Sequence, residues 1–134
     1  MKIVRLDEIE GMTFPAGRTT KVLTGTNRLP AGHFTAGMVF ISPDGRVPLH
    51  SHSNEEIYII VKGRGRIRVG SEEQMVEAVS AIYIEPHAEH FLHNTGKEEM
   101  LMIFVYAPAG VVDHWVQEMT GGLPSESWKP EALF

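Results

Sequence analysis

The chain of 134 residues contains no cysteine. That excludes disulfides, thiolate metal sites and cysteine nucleophiles together. Positive charge is also scarce: 17 acidic residues against 12 basic ones give a formal charge of −5, which argues against a nucleic-acid binder. The densest basic cluster, Lys62, Arg64, Arg66 and Arg68, is interleaved with glycines. Its alternation is that of one face of a strand rather than a phosphate-gripping patch. The longest apolar run, 100–112, contains Pro108 and Gly110 and falls short of the about 20 residues a membrane span needs. The opening stretch MKIVRLDEIEG turns acidic at Asp7 and lacks an apolar leader region, so no signal peptide is expected and the expected location is cytoplasmic. There is no G-x-S-x-G elbow for a serine nucleophile. There is no internal repeat and no low-complexity linker. Hydrophobic content of 43% and charged content of 22% fit an ordinary folded chain, and the length suits one domain over 1–134.

What is present is a succession of short β-prone runs separated by turn residues. Strands are expected over 1–6, 18–24, 34–42, 47–52, 56–61, 64–69, 74–77, 81–85, 90–94 and 100–106. Pro43-Asp44-Gly45 reads as a turn, since Pro presets φ, Asp bonds its own backbone and Gly accepts positive φ. Lys62-Gly63, Gly70-Ser71-Glu72-Glu73 and Asn94-Thr95-Gly96-Lys97 read as hairpin turns. Strands at this spacing define an all-β sandwich or barrel. One helix is expected over 111–120, where Val111, Val112, Trp115, Val116 and Met119 recur at helical spacing before Gly121-Gly122.

Seven histidines stand in the chain, and five of them fall between positions 50 and 93. His50 and His52 are two apart, which on a strand puts both on one face. Glu56 and Tyr58 keep the same parity. His90 comes from a later strand that can lie alongside. Three imidazoles and one carboxylate converging inside a barrel suit a divalent transition metal: imidazole favours iron, copper, nickel or zinc, and the carboxylate admits manganese.

These residues carry a resemblance. His50-x-His52-x3-Glu56-x6-Gly63 resembles the first conserved motif of the cupin superfamily, G-x5-H-x-H-x3-4-E-x6-G. The stretch around His90-x3-Asn94 is similar to the second, P-x-G-x2-H-x3-N. The resemblance implies a jelly-roll (double-stranded β-helix) barrel, with a core over about 34–107 and a metal at its centre, for which iron, manganese, nickel and zinc are the candidates. The implied ligands are His50, His52, Glu56 and His90, with His90 preferred to His93. Two glycines of the family pattern fall on Asp44 and His87, so local differences are expected in those turns. The run HSHSNEEIY is similar to a lyase branch of small cupins in which a tyrosine two residues after the glutamate ligand is a proton-abstracting base, which implies a catalytic Tyr58. The resemblance further implies a small-molecule ligand or substrate and a homodimer. The reaction class stays open among dioxygenase, decarboxylase or isomerase, and lyase. A non-catalytic ligand-binding or sensor cupin is the alternative.

Met38, Phe40, Met102, Phe104 and Tyr106, at even positions on two expected strands, are candidates to line a substrate pocket. Arg18, Lys21 and Arg46 have the chemistry to meet an anionic ligand, but read first as solvated surface charges. His33 is expected to be exposed.

Overall fold

The computed structural model describes residues 1–110 together with Trp115 and Glu118. Ten strands form two antiparallel sheets. They are β1 (Met12–Phe14), β2 (Arg18–Val22), β3 (Thr35–Ile41), β4 (Arg46–His50), β5 (Glu55–Lys62), β6 (Arg64–Val69), β7 (Glu72–Glu77), β8 (Ser80–Ile84), β9 (His90–Asn94) and β10 (Met100–Ala107). One sheet runs β1-β2-β3-β10-β5-β8 and the other β4-β9-β6-β7. This is the all-β jelly-roll barrel that the strand spacing and the motifs imply. The helix expected over 111–120 lies outside the described residues, except for Trp115 and Glu118.

Local chemistry explains the strands. β3, β5 and β10 are rich in β-branched and aromatic residues, and their burial alternates with period two. Their inward residues Val39, Ile41, Tyr58, Ile60, Met102 and Phe104 form the core with Ile67 and Leu92 of the facing sheet. On β6 the arginines face outward while Gly65 and Ile67 point in, as the alternation predicts.

Three expectations change. Residues 1–5 form no strand; a short 3-10 turn at Leu6–Glu8 follows them. Asp7 and Glu8 favour such a turn, and Met1 and Ile3 have no core to enter and are exposed. Lys62-Gly63 and Asn94–Lys97 are not hairpins, because β5 and β6, like β9 and β10, belong to different sheets. Each link carries the chain across the barrel. Of the three expected hairpin links, Gly70-Ser71 alone closes one, between β6 and β7. Turn residues announce that a strand ends but do not name its next partner.

The β3–β4 crossing is equally tight. Asp44 takes the left-handed conformation, with φ 64°. Gly45 is needed for closeness: a Cβ there would stand 2.3 Å from the Gly17 carbonyl oxygen. His87 also has positive φ, 68°. The two positions where the family pattern has glycine therefore keep a glycine-like backbone although neither is glycine.

Candidate metal centre

The site lies between the sheets. β4 ends in His50 at the edge of the four-stranded sheet, and His90 opens β9 directly opposite it in register. The pairing is irregular between Val47 and His50. Pro48, which cannot donate a ladder hydrogen bond, sits in that irregularity on an edge strand, where proline is tolerated. His52 follows in the β4–β5 connection. Glu56 and Tyr58 point inward from β5 in the other sheet, with the shared parity that sequence spacing predicts.

His50, His52 and His90 form a group that could hold a metal ion: one ring nitrogen from each lies within 4.8 Å of the others. The rings of His50 and His90 are 4.0 Å apart, and those of His52 and His90 5.0 Å. Glu56 Oε1 stands 3.0 Å from His52 Nε2 and 3.3 Å from His90 Nε2.

The tautomers follow from the partners. Nδ1 of His50 lies 2.7 Å from the Pro48 carbonyl oxygen, Nδ1 of His52 3.0 Å from that of Asn54, and Nδ1 of His90 2.8 Å from that of Ala88. A carbonyl oxygen only accepts, so each Nδ1 carries the proton. Once its Nε2 is free of a proton, each ring offers that lone pair to the shared space. Such backbone bonds orient metal-binding histidines. In each case the acceptor is two residues away in sequence, so the chain next to each histidine builds its own support. The donor set fits a first-row divalent metal.

Burial alone would raise the Glu56 carboxyl, but hydrogen bonds with His52 and then His90, and the field of the two rings, hold it below the ordinary carboxylate range. Tyr58 is 3% exposed, with its ring centroid 5.8 Å from that of His90. Burial first, then the Glu56 charge, push its phenol well above the ordinary value, with Arg18 opposing them.

Of the pocket candidates, Met102, Phe104 and Tyr106 point inward and border a small cavity with Glu56 and Tyr58. Met38 and Phe40 do not join them. Register pairs Met38 with Ile103 and Phe40 with Leu101, on the opposite face, while Val39 faces inward beside Met102. Parity relates residues along one strand; between strands it depends on a register that sequence does not display. His93 turns away, with Nε2 2.7 Å from Asp44 Oδ1. His33 and His87 are exposed.

Arg18 departs furthest from expectation. It is buried, not solvated, and its guanidinium makes paired bonds of 2.5 and 2.7 Å to the Glu118 carboxylate. The guanidinium also lies 4.1 Å from the Phe14 ring centroid. The pair was not legible because its members are separated by a hundred positions. Lys21 reaches the Leu6 carbonyl at 3.0 Å, and Arg46 that of Asp44 at 2.8 Å. A second cavity, of about 680 Å³, lies between the β6–β7 hairpin and β8, lined by residues that include Ile67, Met75, Ile82 and Tyr83 and none of the histidines.

The cupin domain model matches residues 37–106, more than half of the chain, and the chain belongs to the cupin family. An uncharacterized protein of Streptomyces coelicolor is 29% identical over 115 residues, covering 81% of this chain and 97% of that one. Another, of Methanocaldococcus jannaschii, is 28% identical over 99 residues, covering 72% and 79%. Among solved structures, one from Thermotoga maritima, described as a predicted oxalate decarboxylase, superposes with a TM-score of 0.71 at 19% identity, covering 80% of this chain and 99% of that chain. A Cupin 2 conserved barrel domain protein from Salinispora arenicola superposes with a TM-score of 0.68 at 22% identity, covering 87% and 97%. An RmlC-like cupin from Shewanella frigidimarina gives 0.67 at 16%, covering 77% and 86%. At these identities the structures establish the fold. Among the described residues no helix is long and apolar enough to cross a membrane.

Proposed function

We propose that the protein is a metal-dependent enzyme acting on a small organic molecule. His50, His52, Glu56 and His90 hold one divalent transition metal (iron, manganese, nickel or zinc). The observation that carries this reading is the common support of the three rings: every Nδ1 is tied to a backbone carbonyl, and the Nε2 atoms share one space with Glu56 Oε1. When bound, the metal supplies Lewis-acid or redox chemistry. The chain's own part is to hold those donors, to wall the site with Met102, Phe104 and Tyr106, and to present the Tyr58 hydroxyl as the group that moves a proton. Dioxygenase, decarboxylase or isomerase, and lyase chemistry all draw on such a site. The protein works as a cytoplasmic homodimer.

Elemental analysis of tag-free protein, purified without chelator or added metal, is the direct test. About one equivalent of metal per chain is expected. His52→Ala is expected to lose most of it, because the affinity of a four-ligand site depends on every ligand. Full occupancy in that variant would show the site to be misassigned. Tyr58→Phe should keep its metal and, for lyase chemistry, lose about 10²–10⁴-fold in turnover, the usual range for an acid–base group. Equal turnover by that variant removes Tyr58 from the mechanism.

One observation favours a second reading, a non-catalytic ligand-binding or sensor cupin. The interior cavity beside Glu56 is only about 20 Å³. Tight ligand binding without any turnover across a substrate screen would select it.

A further inference from the structure

The pair Arg18–Glu118 is expensive. Its side chains are 1% and 0% exposed, and two charges taken out of water rarely stabilise a fold more than a packed apolar pair of similar volume. Stability alone does not explain why both are kept inside. Their place in the barrel suggests a use. Arg18 borders the same small cavity as Glu56, Tyr58 and Trp115. One edge of that cavity is thus Glu56, beside the candidate metal centre, and another is a guanidinium. The guanidinium is set before the ligand arrives: it lies over the Phe14 ring and donates to the Arg46 carbonyl oxygen at 3.4 Å. Its paired contacts are filled by a carboxylate from the far end of the described chain.

The cavity holds about one water at its present size. No organic ligand fits while Trp115 and Glu118 stand there. If they withdraw, space opens but Arg18 is left as an unpaired buried cation, a costly state. An incoming carboxylate removes that cost, and a neutral molecule of the same shape does not. Arginine's planar fork fits this group by paired hydrogen bonds.

We infer that Arg18 is the carboxylate-binding subsite of the barrel's ligand, and that the Glu118 side chain occupies it as an internal stand-in until a small carboxylate displaces it. The inference rests on the reading of the barrel interior as a ligand site and names the ligand class.

The probes are acetate and malonate, with acetamide and malonamide as neutral counterparts, added to the full chain. In Glu118→Ala, acetate should restore the lost thermal stability, and acetamide or chloride at equal concentration should not. In Glu118→Gln, calorimetric affinity for malonate should exceed that of the wild type by at least about tenfold, since an internal competitor that fills the subsite lowers apparent affinity by the fraction it leaves open. This second variant keeps the test intact if Glu118→Ala does not fold. The double variant Arg18→Met/Glu118→Leu removes both charges, should fold, and should respond to neither anion. In a Trp128→Phe background, malonate should red-shift the Trp115 emission as the indole leaves Phe104 and Tyr106. Equal rescue by chloride or acetamide, an unchanged malonate affinity in Glu118→Gln, or an anion response in the double variant would each overturn the inference. Metal content is measured alongside. Acetate rescue that persists when His52→Ala is added to Glu118→Ala would separate a sound carboxylate subsite from a failed metal assignment.

Discussion

At the scale of single residues, the barrel places unusual demands on backbone at two ordinary-looking positions. Asp44 and His87 carry side chains in a conformation that glycine adopts without cost. They are not equivalent. The Asp44 carboxylate meets His93 at 2.7 Å, so its side chain compensates for the turn. The His87 side chain is exposed, while its backbone N–H donates to the His52 carbonyl at 2.8 Å. His87→Gly should therefore keep the turn, relieve its strain and stabilise the chain by roughly 1 kcal/mol. A chemical denaturation midpoint that falls instead would mean that the imidazole makes a contribution of its own. The same scale shows what sequence spacing can and cannot reveal. His50, Glu56 and Tyr58 were legible as inward-facing because strand parity is a local rule. The burial of Arg18 was not, because it is set by Glu118.

At the scale of elements, the decisive pieces are the links that carry the chain from one sheet to the other. Asn94 shows how one of them is fixed. Its side chain is fully buried and donates to the carbonyls of Ile41 and Glu98, both at 2.9 Å, while its oxygen accepts from the Gly96 N–H at 2.9 Å. The end of β3 and the β9–β10 crossing are thus held by one amide. Asn94→Ala takes this partner from two carbonyls and an N–H, and should cost about 2–3 kcal/mol, read as a loss of unfolding free energy in urea. A loss below about 0.5 kcal/mol would mean that water replaces the amide with ease. Strand existence was legible almost throughout from β-branched alternation. The crossings read as hairpins in the sequence because a tight turn and a tight crossing use the same residues. Met38 and Phe40 lie on the face opposite to the one expected for a related reason, since the register of β3 against β10 is a property of the pair and not of either strand.

At the scale of the whole molecule, the outer surface bears on the proposed dimer. Ile57, Val61, Met75, Val79 and Tyr83 are large apolar side chains more than a third exposed. Ile57 and Tyr83 are direct cross-strand partners on β5 and β8, and β8 is the edge of its sheet. An open edge beside apolar side chains is a surface that folded chains commonly cover. Light scattering on a sizing column should give about twice the 14.9 kDa mass of the chain. A species of single-chain mass at micromolar concentration would set the homodimer aside.

The direct opposition of His50 and His90 across the β4–β9 ladder has a consequence for how the barrel assembles. Side chains alternate between faces at every step along a strand, so a slip of β9 by one residue would bring Phe91 or Glu89 opposite His50 and turn His90 outward. Only one alignment of β4 against β9 gathers all three imidazoles. A metal that binds that alignment and no other removes the misaligned barrels from the equilibrium. A bound ion would then act as a proofreader of strand alignment, before any chemistry at the site.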